Sequence, residues 1–221
     1  MSEQSGTRRP GPPQQRGARP VRDAAGARGL ATEEPAGRST AWWGMVLFVA
    51  TEATLVASLL GTYFYLRFQF GEPWPPGGVA RPELLHPLIM TGLLLASGVP
   101  LLWAQAGGRR DRWGRLPVAL GAAALLTAGF LVVQGIEYAD QLDRFTLTSH
   151  AYGSLFYGVT GLHAVHVCVG LLLLFWLLAA VARDRTGAGR RERIRLAVVY
   201  WYFLEVVWLG VLFTVYLSPR L

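Results

Sequence analysis

Residues 151–181 form a long apolar run that carries two histidines three positions apart, His163 and His166. A helix that crosses the hydrocarbon core of a bilayer needs about 20 predominantly apolar residues, and this run is longer. Ionisable side chains inside such a helix face protein or an aqueous cavity, so the face with both imidazoles is expected to meet another helix. The run therefore predicts a transmembrane helix bundle.

Four further apolar runs have the length of membrane spans, at residues 42–66, 87–106, 116–138 and 197–217. With 52% hydrophobic and 16% charged residues among 221, the composition also favours a polytopic membrane protein. Aromatic residues at the span ends, among them Trp74, Tyr152 and Tyr216, are typical of membrane-interface belts. Residues 41–221 are therefore predicted to form an all-α domain of five transmembrane helices.

Residues 1–40 differ from the rest of the chain in composition. They are rich in Gly, Pro and Arg and contain almost no large apolar side chains. Such a segment cannot bury enough apolar surface to offset the entropy of ordering its chain. We therefore predict a disordered cytoplasmic tail.

The arginines predict the orientation of the bundle. All 21 basic residues are arginines, and seventeen lie in the tail, in the loop after the second span or in the loop after the fourth. Cytoplasmic loops carry the excess of basic residues, so the N-terminus is predicted to be cytoplasmic and the C-terminus outside, in a bacterial-type plasma membrane. The arginines share no single face, so the net charge of +7 does not indicate nucleic-acid binding.

Four ionisable residues are predicted to lie inside the membrane. The helical rise of about 1.5 Å per residue places Glu52, His163, His166 and Glu205 at comparable depth, from the midplane to the inner half. A carboxylate there is costly unless it is paired or protonated. We expect a cluster of Glu52 with His163 or His166, with Glu205 nearby. Three roles remain open for the histidine pair: hydrogen bonding between helices, proton handling, and contact with lipid or a partner.

The outer end of the third span carries Gln134, Glu137 and Tyr138. A solvated helix end is one reading of these residues, and contact with a partner subunit is the other. Arg67 follows the first span, and Arg183 and Arg185 follow the fourth. Arginines at such positions extend towards the interface, so we assign all three to contact with lipid headgroups.

The histidines and the cysteine do not predict a metal or haem site. The chain has four histidines, His86, His150, His163 and His166, and one cysteine, Cys168. A pair at i and i+3 of one helix cannot ligate opposite faces of one haem, and no Cys or Met set completes another site. We expect no metal, no catalytic residue and no cofactor bound by this chain.

Several segments together resemble subunit III of the haem–copper respiratory oxidases, in a compact five-helix form, over residues 42–217. The fourth span reads TGLHAVHVCVG from Thr160 and Gly161 onwards, and the fifth reads YWYFLEVVWLGVLFTVYL, which includes Trp208. The first span matches the family's first core helix, with Glu52 on its membrane-embedded glutamate. The segment QGIEY, from Gln134 to Tyr138, matches a further family pattern.

The resemblance implies a subunit that carries no haem or copper itself and packs against the catalytic subunit I, which holds both, in a complex that includes subunit II. It also implies phospholipid binding and support of proton uptake during aerobic electron transport by cytochrome c oxidase. The last span departs from the family pattern at Tyr202, where a histidine is usual, and at Glu205, where an aspartate is usual. A glutamate in place of an aspartate keeps the carboxylate but places it on a longer side chain.

Two other functions stay open at this point. One is a related subunit of a quinol oxidase or of a nitric oxide reductase complex. The other is a small proton-coupled transporter in which Glu52 and His163 form a proton relay. The sequence shows no inverted repeat of the kind that transporters of that type carry.

Overall fold

A computed structural model describes residues 39–71, 74–75, 83–109, 113–183 and 189–220. The predicted tail, except for its last two residues, lies outside the described residues, as does Arg185.

Five long helices account for most of the described chain. They are α1 (Thr40–Phe70), α2 (Leu85–Arg109), α3 (Leu116–Leu142), α4 (Ala151–Ala182) and α5 (Arg190–Val211). A π-helical segment, Leu212–Leu217, and a short 3₁₀ helix, Ser218–Arg220, continue α5 to the end of the described chain. No strand occurs in the ranges given above, and the predicted all-α class is confirmed.

Each predicted span lies within a helix that is long and apolar enough to cross a membrane, and the chain is a multi-pass membrane protein. The helices extend beyond the apolar runs by a few residues at most ends. The largest difference is in α5, which begins at Arg190 because the arginine-rich segment before the fifth run continues the helix. A helix provides hydrogen bonds for the backbone N–H and C=O groups of that segment whether or not its side chains are apolar.

Local hydrogen bonds mark where two of the helices begin. The side chain of Ser39 accepts a bond of 3.2 Å from the backbone N–H of Trp42 at the start of α1. The Nδ1 of His150 accepts a bond of 2.8 Å from the backbone N–H of Gly153 at the start of α4. Each cap satisfies an N–H group that has no partner within its helix.

The core lies between α2, α3, α4 and α5, where α2 packs against α3 and α5, and α4 packs against α3 and α5. The first helix packs on the outside of this group, against α4 and α5. Along the full length of α1, Thr40–Phe70, only Val56 and Tyr63 are buried. The interface of α1 with the bundle is therefore narrow, and most of its surface faces away from the chain.

An aromatic cluster closes the predicted outer end of the bundle. Trp74 donates a hydrogen bond of 3.0 Å from its Nε1 to the hydroxyl of Tyr63, and its ring lies 5.6 Å from that of Tyr152. Trp74, Tyr152 and Tyr216 are buried. Their interpretation as interface-belt residues is therefore wrong, because they pack against other parts of the chain instead of lipid.

Candidate functional site

A contact between α1 and α4 joins two of the four ionisable residues expected inside the membrane. The Oε2 of Glu52 lies 3.0 Å from the Nε2 of His166. The other ring nitrogen, Nδ1, lies 2.8 Å from the backbone carbonyl oxygen of Leu162. A carbonyl oxygen only accepts, so Nδ1 carries a proton and donates it to Leu162.

The protonation of Nδ1 limits how Glu52 and His166 bind each other. With the ring proton on Nδ1, a neutral imidazole presents a lone pair at Nε2, which would repel a carboxylate. The contact at 3.0 Å therefore holds one additional proton. On Nε2 this proton forms an imidazolium–carboxylate pair, and on the carboxyl group it forms a neutral O–H donor to nitrogen. Glu52 and His166 thus share a proton in either form.

The same contact is connected to a third helix. The hydroxyl of Tyr200 in α5 donates a hydrogen bond of 2.9 Å to the backbone carbonyl of His166. The ring of Phe203, also in α5, lies 6.3 Å from the imidazole of His166. Both Glu52 and His166 remain partly exposed at the surface of the chain. We name the contact set of Glu52, His166 and Tyr200 the polar seam.

The other histidine of α4 faces a different environment. His163 is 1% exposed, and its ring lies 5.2 Å from Trp208 and 5.7 Å from Phe130. Neither of its ring nitrogens has a hydrogen-bond partner in the described chain. Residues three apart on a helix point in directions about 60° apart, which lets His166 reach α1 while His163 faces α3 and α5.

The second membrane glutamate contacts α2 instead of the polar seam. The carboxylate of Glu205 lies against Gly98, where a side chain at that position would collide with Oε1. One turn away, the Nε1 of Trp201 donates a hydrogen bond of 2.8 Å to the hydroxyl of Ser97. Within the described ranges, Oε1 of Glu205 has no hydrogen-bond partner. The structure thus brings Glu52 and His166 together and places His163 and Glu205 at two other interfaces.

The end of α3 holds a buried polar cluster. Glu137 is 1% exposed, and its Oε2 lies 2.8 Å from the Nδ1 of His86 in α2. Its Oε1 accepts a bond of 3.0 Å from the Nε2 of Gln141. Of the two readings of Glu137, the solvated helix end is wrong, because α2 covers this face of α3.

Sequence reasoning did not pair His86 with Glu137, although a usable signal was present. Gln134, Glu137 and Gln141 recur at i, i+3 and i+7, which places all three on one helical face. All three are buried. Gln134 has no hydrogen-bond partner for either side-chain atom among the described residues.

The other residues of the family patterns make contacts between helices. Tyr138 in α3 lies 2.9 Å, hydroxyl to hydroxyl, from Thr160 in α4, and Thr160 donates to the carbonyl of Phe156. Gly161 lies beside the Tyr138 hydroxyl, which a Cβ at that position would approach to 3.6 Å. Trp208 donates from Nε1 to the hydroxyl of Thr91 at 2.8 Å. These residues hold neighbouring helices in register.

Of the three arginines assigned to lipid headgroups, Arg67 contacts the chain itself. Its Nη1 donates a hydrogen bond of 2.7 Å to the backbone carbonyl of Ser218, which connects α1 to the C-terminal end. Arg183 is exposed at the end of α4. The headgroup assignment of these arginines stays a prediction.

Three of the four histidines, His86, His150 and His166, have hydrogen-bond partners in the described chain, and the expectation that this chain binds no haem or metal stays a prediction. His166 is engaged on both ring nitrogens, and His86 faces Glu137. Among the described residues, no three His, Cys, Asp or Glu side chains lie together in a way that could hold a metal ion. The arrangement can store or pass a proton at the polar seam and can hold helices together.

Comparison with known proteins identifies a family. A family described as cytochrome c oxidase subunit III matches residues 22–219. The chain is 32% identical over 179 residues to cytochrome c oxidase subunit 3 of Drosophila yakuba, which covers 79% of this chain and 68% of that protein. It is 30% identical over 179 residues to the protein of the same name from Myxine glutinosa, with the same coverage of both chains. The chain belongs to the cytochrome c oxidase subunit III family.

Proposed function

We propose that this chain is the non-catalytic subunit III of a haem–copper terminal oxidase of the cytochrome c oxidase type. It would pack against subunit I, which holds haem and copper, in a complex that includes subunit II. The family membership supports this proposal.

The single observation that carries the proposed mechanism is the contact of Glu52 with His166 at 3.0 Å. Because α1 has a narrow apolar interface with the bundle, the polar seam supplies specific attachment at membrane depth. An unpaired glutamate or histidine there would cost several kcal/mol, so separating α1 from α4 is unfavourable. The seam thereby keeps a rigid scaffold beside subunit I.

The test is to isolate the oxidase with a deletion of this chain and with Glu52→Gln. We expect haem spectra that are nearly unchanged in both preparations. Turnover should begin at the normal rate and decay faster than in the unaltered complex, most strongly in the deletion. Arg144→Gln, at an exposed contact with Glu83, is the matched control and should decay at the normal rate. Loss of haem on deletion, or normal turnover stability in its absence, would contradict the proposal.

The electron donor distinguishes the proposed cytochrome c oxidase from the alternative of a quinol oxidase. The relatives described above are named as cytochrome c oxidase subunits, which favours cytochrome c over quinol. Oxygen consumption by the isolated complex with reduced cytochrome c or with a quinol measures this directly. Activity with quinol alone would favour the quinol-oxidase assignment.

The transporter alternative receives less support from the geometry. A relay between Glu52 and His163 needs a short connection, but Glu52 contacts His166 and His163 is enclosed by Trp208 and Phe130. Proton-driven solute uptake by liposomes that contain this chain alone would favour the transporter instead.

A further inference from the structure

Buried polar groups without a partner lie together near the end of the bundle where α3 finishes and α4 starts. The hydroxyls of Tyr152 and Tyr216 have no hydrogen-bond partner in the described chain, and neither atom of the Gln134 amide has one. All three side chains belong to residues that are at most 2% exposed. Buried polar groups in folded proteins are nearly always hydrogen-bonded, to protein or to ordered water, because leaving them unpaired is costly. These groups therefore indicate a small polar ligand that bridges them.

Glu137 lies among these unpartnered groups. Its carboxylate interacts electrostatically with the hydroxyls of Tyr152 and Tyr216. No hydrogen bond in the described chain joins either hydroxyl to the carboxylate. Gln134 precedes Glu137 by three positions, so the two lie one turn apart on the same buried face of α3. The hydroxyls are thus near the carboxylate but do not bind it directly.

The π-helical segment that follows α5 places Tyr216 opposite Gln134. The ring centre of Tyr216 lies 6.5 Å from that of Trp208, which lies 5.0 Å from that of Phe130. Phe130 and Glu137 are about one turn before and one turn after Gln134 on α3. Since Tyr216 is near both levels, it faces Gln134 across the core, with α2 and α4 packed between α3 and α5. π-Helical turns are rare and occur frequently at functional sites.

The burial and charge of this site distinguish between possible ligands. A partner side chain or a lipid headgroup needs an opening at the surface, but Tyr152 and Tyr216 are fully buried. A metal ion needs several oxygen ligands, and the one carboxylate, of Glu137, already contacts His86 and Gln141. A buried water needs only two to four polar partners, and hydroxyl, amide and carboxylate groups supply both donors and acceptors. Water is therefore the ligand that fits.

We infer that ordered water occupies the core around Glu137 and bridges its carboxylate to the hydroxyls of Tyr152 and Tyr216. The amide of Gln134 binds the same water cluster. The water thereby connects α3, α4 and the π-helical segment, whose polar groups do not bond to one another. It enters along His86, which contacts Glu137 and keeps 23% of its side chain exposed. The inference goes beyond the proposed function and does not depend on it, because the site is built from this chain alone.

The test is cryo-electron microscopy of the assembly isolated through a tag on this chain, at a resolution that shows individual waters. We expect density within hydrogen-bond distance of both the Tyr216 hydroxyl and the Glu137 carboxylate. Tyr216→Phe removes one ligand with little change of shape, so this density should be lost and the melting temperature should fall by about 2–4 °C. Gln134→Leu should have a similar effect. The two substitutions together should lower the melting temperature by less than the sum, because both groups bind one water cluster.

Tyr157→Phe is the matched control. It removes a neighbouring hydroxyl that donates directly to the backbone carbonyl of Phe145 at 3.1 Å, so the water density should remain. Absence of density beside Glu137 in the unaltered protein, or a direct hydrogen bond from either tyrosine to its carboxylate, would overturn the inference. Density with several oxygen contacts of about 2.0–2.6 Å would identify a cation and overturn it as well. Density that persists in Tyr216→Phe would show that other groups hold the water and would overturn the bridge.

Discussion

The carboxylate of Glu137 in α3 lies 2.8 Å from the Nδ1 of His86 in α2, although only 1% of the glutamate side chain is exposed. Gln141, one turn further along α3, donates to the other carboxylate oxygen at 3.0 Å. The contact joins α2 to α3, and the same Nδ1 lies 3.7 Å from Oδ2 of Asp140, which is exposed. Removing one partner of a buried polar pair leaves the other without compensation, so this contact is a sensitive position for stability.

We therefore predict that Glu137→Ala lowers the free energy of unfolding by about 3 kcal/mol. The loss arises because His86 and Gln141 are left without their shared acceptor. Unfolding in mixtures of mild detergent and SDS measures the change. The control is Glu83→Ala, which removes a contact of 3.1 Å with Arg144 at the exposed surface and should cost less than about 1 kcal/mol. Equal effects of the two substitutions would show that the Glu137 cluster is not the stronger contact.

A double-mutant cycle tests the polar seam. Glu52→Gln and His166→Ala remove a shared contact, so their combined effect on the free energy of unfolding should be smaller than the sum by about 1 kcal/mol. Glu205→Gln combined with His166→Ala is the matched comparison, because Glu205 contacts Gly98 in α2 instead. The effects of Glu205→Gln and His166→Ala on the free energy of unfolding should therefore add. Additivity of the Glu52 and His166 substitutions would mean that their contact contributes nothing to stability.

Gly98 and Glu205 form a close packing contact between α2 and α5. A methyl group at position 98 would collide with Oε1 of Glu205, so Gly98→Ala is expected to lower the free energy of unfolding by about 1–3 kcal/mol. Glu205→Ala in the same chain should restore part of the loss, because it removes the group that collides. In the same helix, Gly92→Ala meets nothing within 4 Å and should be neutral or slightly stabilising. A neutral Gly98→Ala would argue that the carboxylate moves aside freely.

His163 and His166 differ in what they contact, and this difference predicts unequal losses of stability from the same substitution. His163→Leu exchanges a buried imidazole without a hydrogen-bond partner in the described chain for an apolar side chain, and should change the free energy of unfolding by less than about 1 kcal/mol. His166→Leu leaves Glu52 unpaired and should cost about 2 kcal/mol. Thermal unfolding of both variants in one detergent compares them. A large loss for His163→Leu would indicate a partner for His163 in the assembly.

The orientation predicted from the arginines is tested by cysteine labelling. Cys168 is replaced by serine, and a single cysteine is introduced as Asp143→Cys, directly after α3, or as Arg183→Cys, directly after α4. In intact cells, a membrane-impermeant maleimide should label Asp143→Cys and should reach Arg183→Cys only after permeabilisation. The reverse pattern would place the N-terminus outside.

The number and approximate extent of the helices could be read from the sequence because the length of an apolar run is a local property. Each of the five predicted spans lies within an observed helix, and the run at residues 151–181 differs from Ala151–Ala182 by one residue at its end. The family could also be recognised from contiguous segments, such as those that contain Thr160 and Trp208. The helical rise alone predicts comparable depths for Glu52 and His166, and their contact at 3.0 Å agrees with comparable depths.

Which side chains meet was decided by the tertiary structure. The sequence left open whether His163 or His166 binds Glu52, because rotation of α4 about its axis depends on its packing against three other helices. A solvated helix end was one of two readings of Glu137, and only the approach of α2 places His86 beside it. The polar residues and their expected depths are properties of single helices, but Glu52 and its partner His166 are 114 positions apart in sequence, so their pairing requires the assembled bundle.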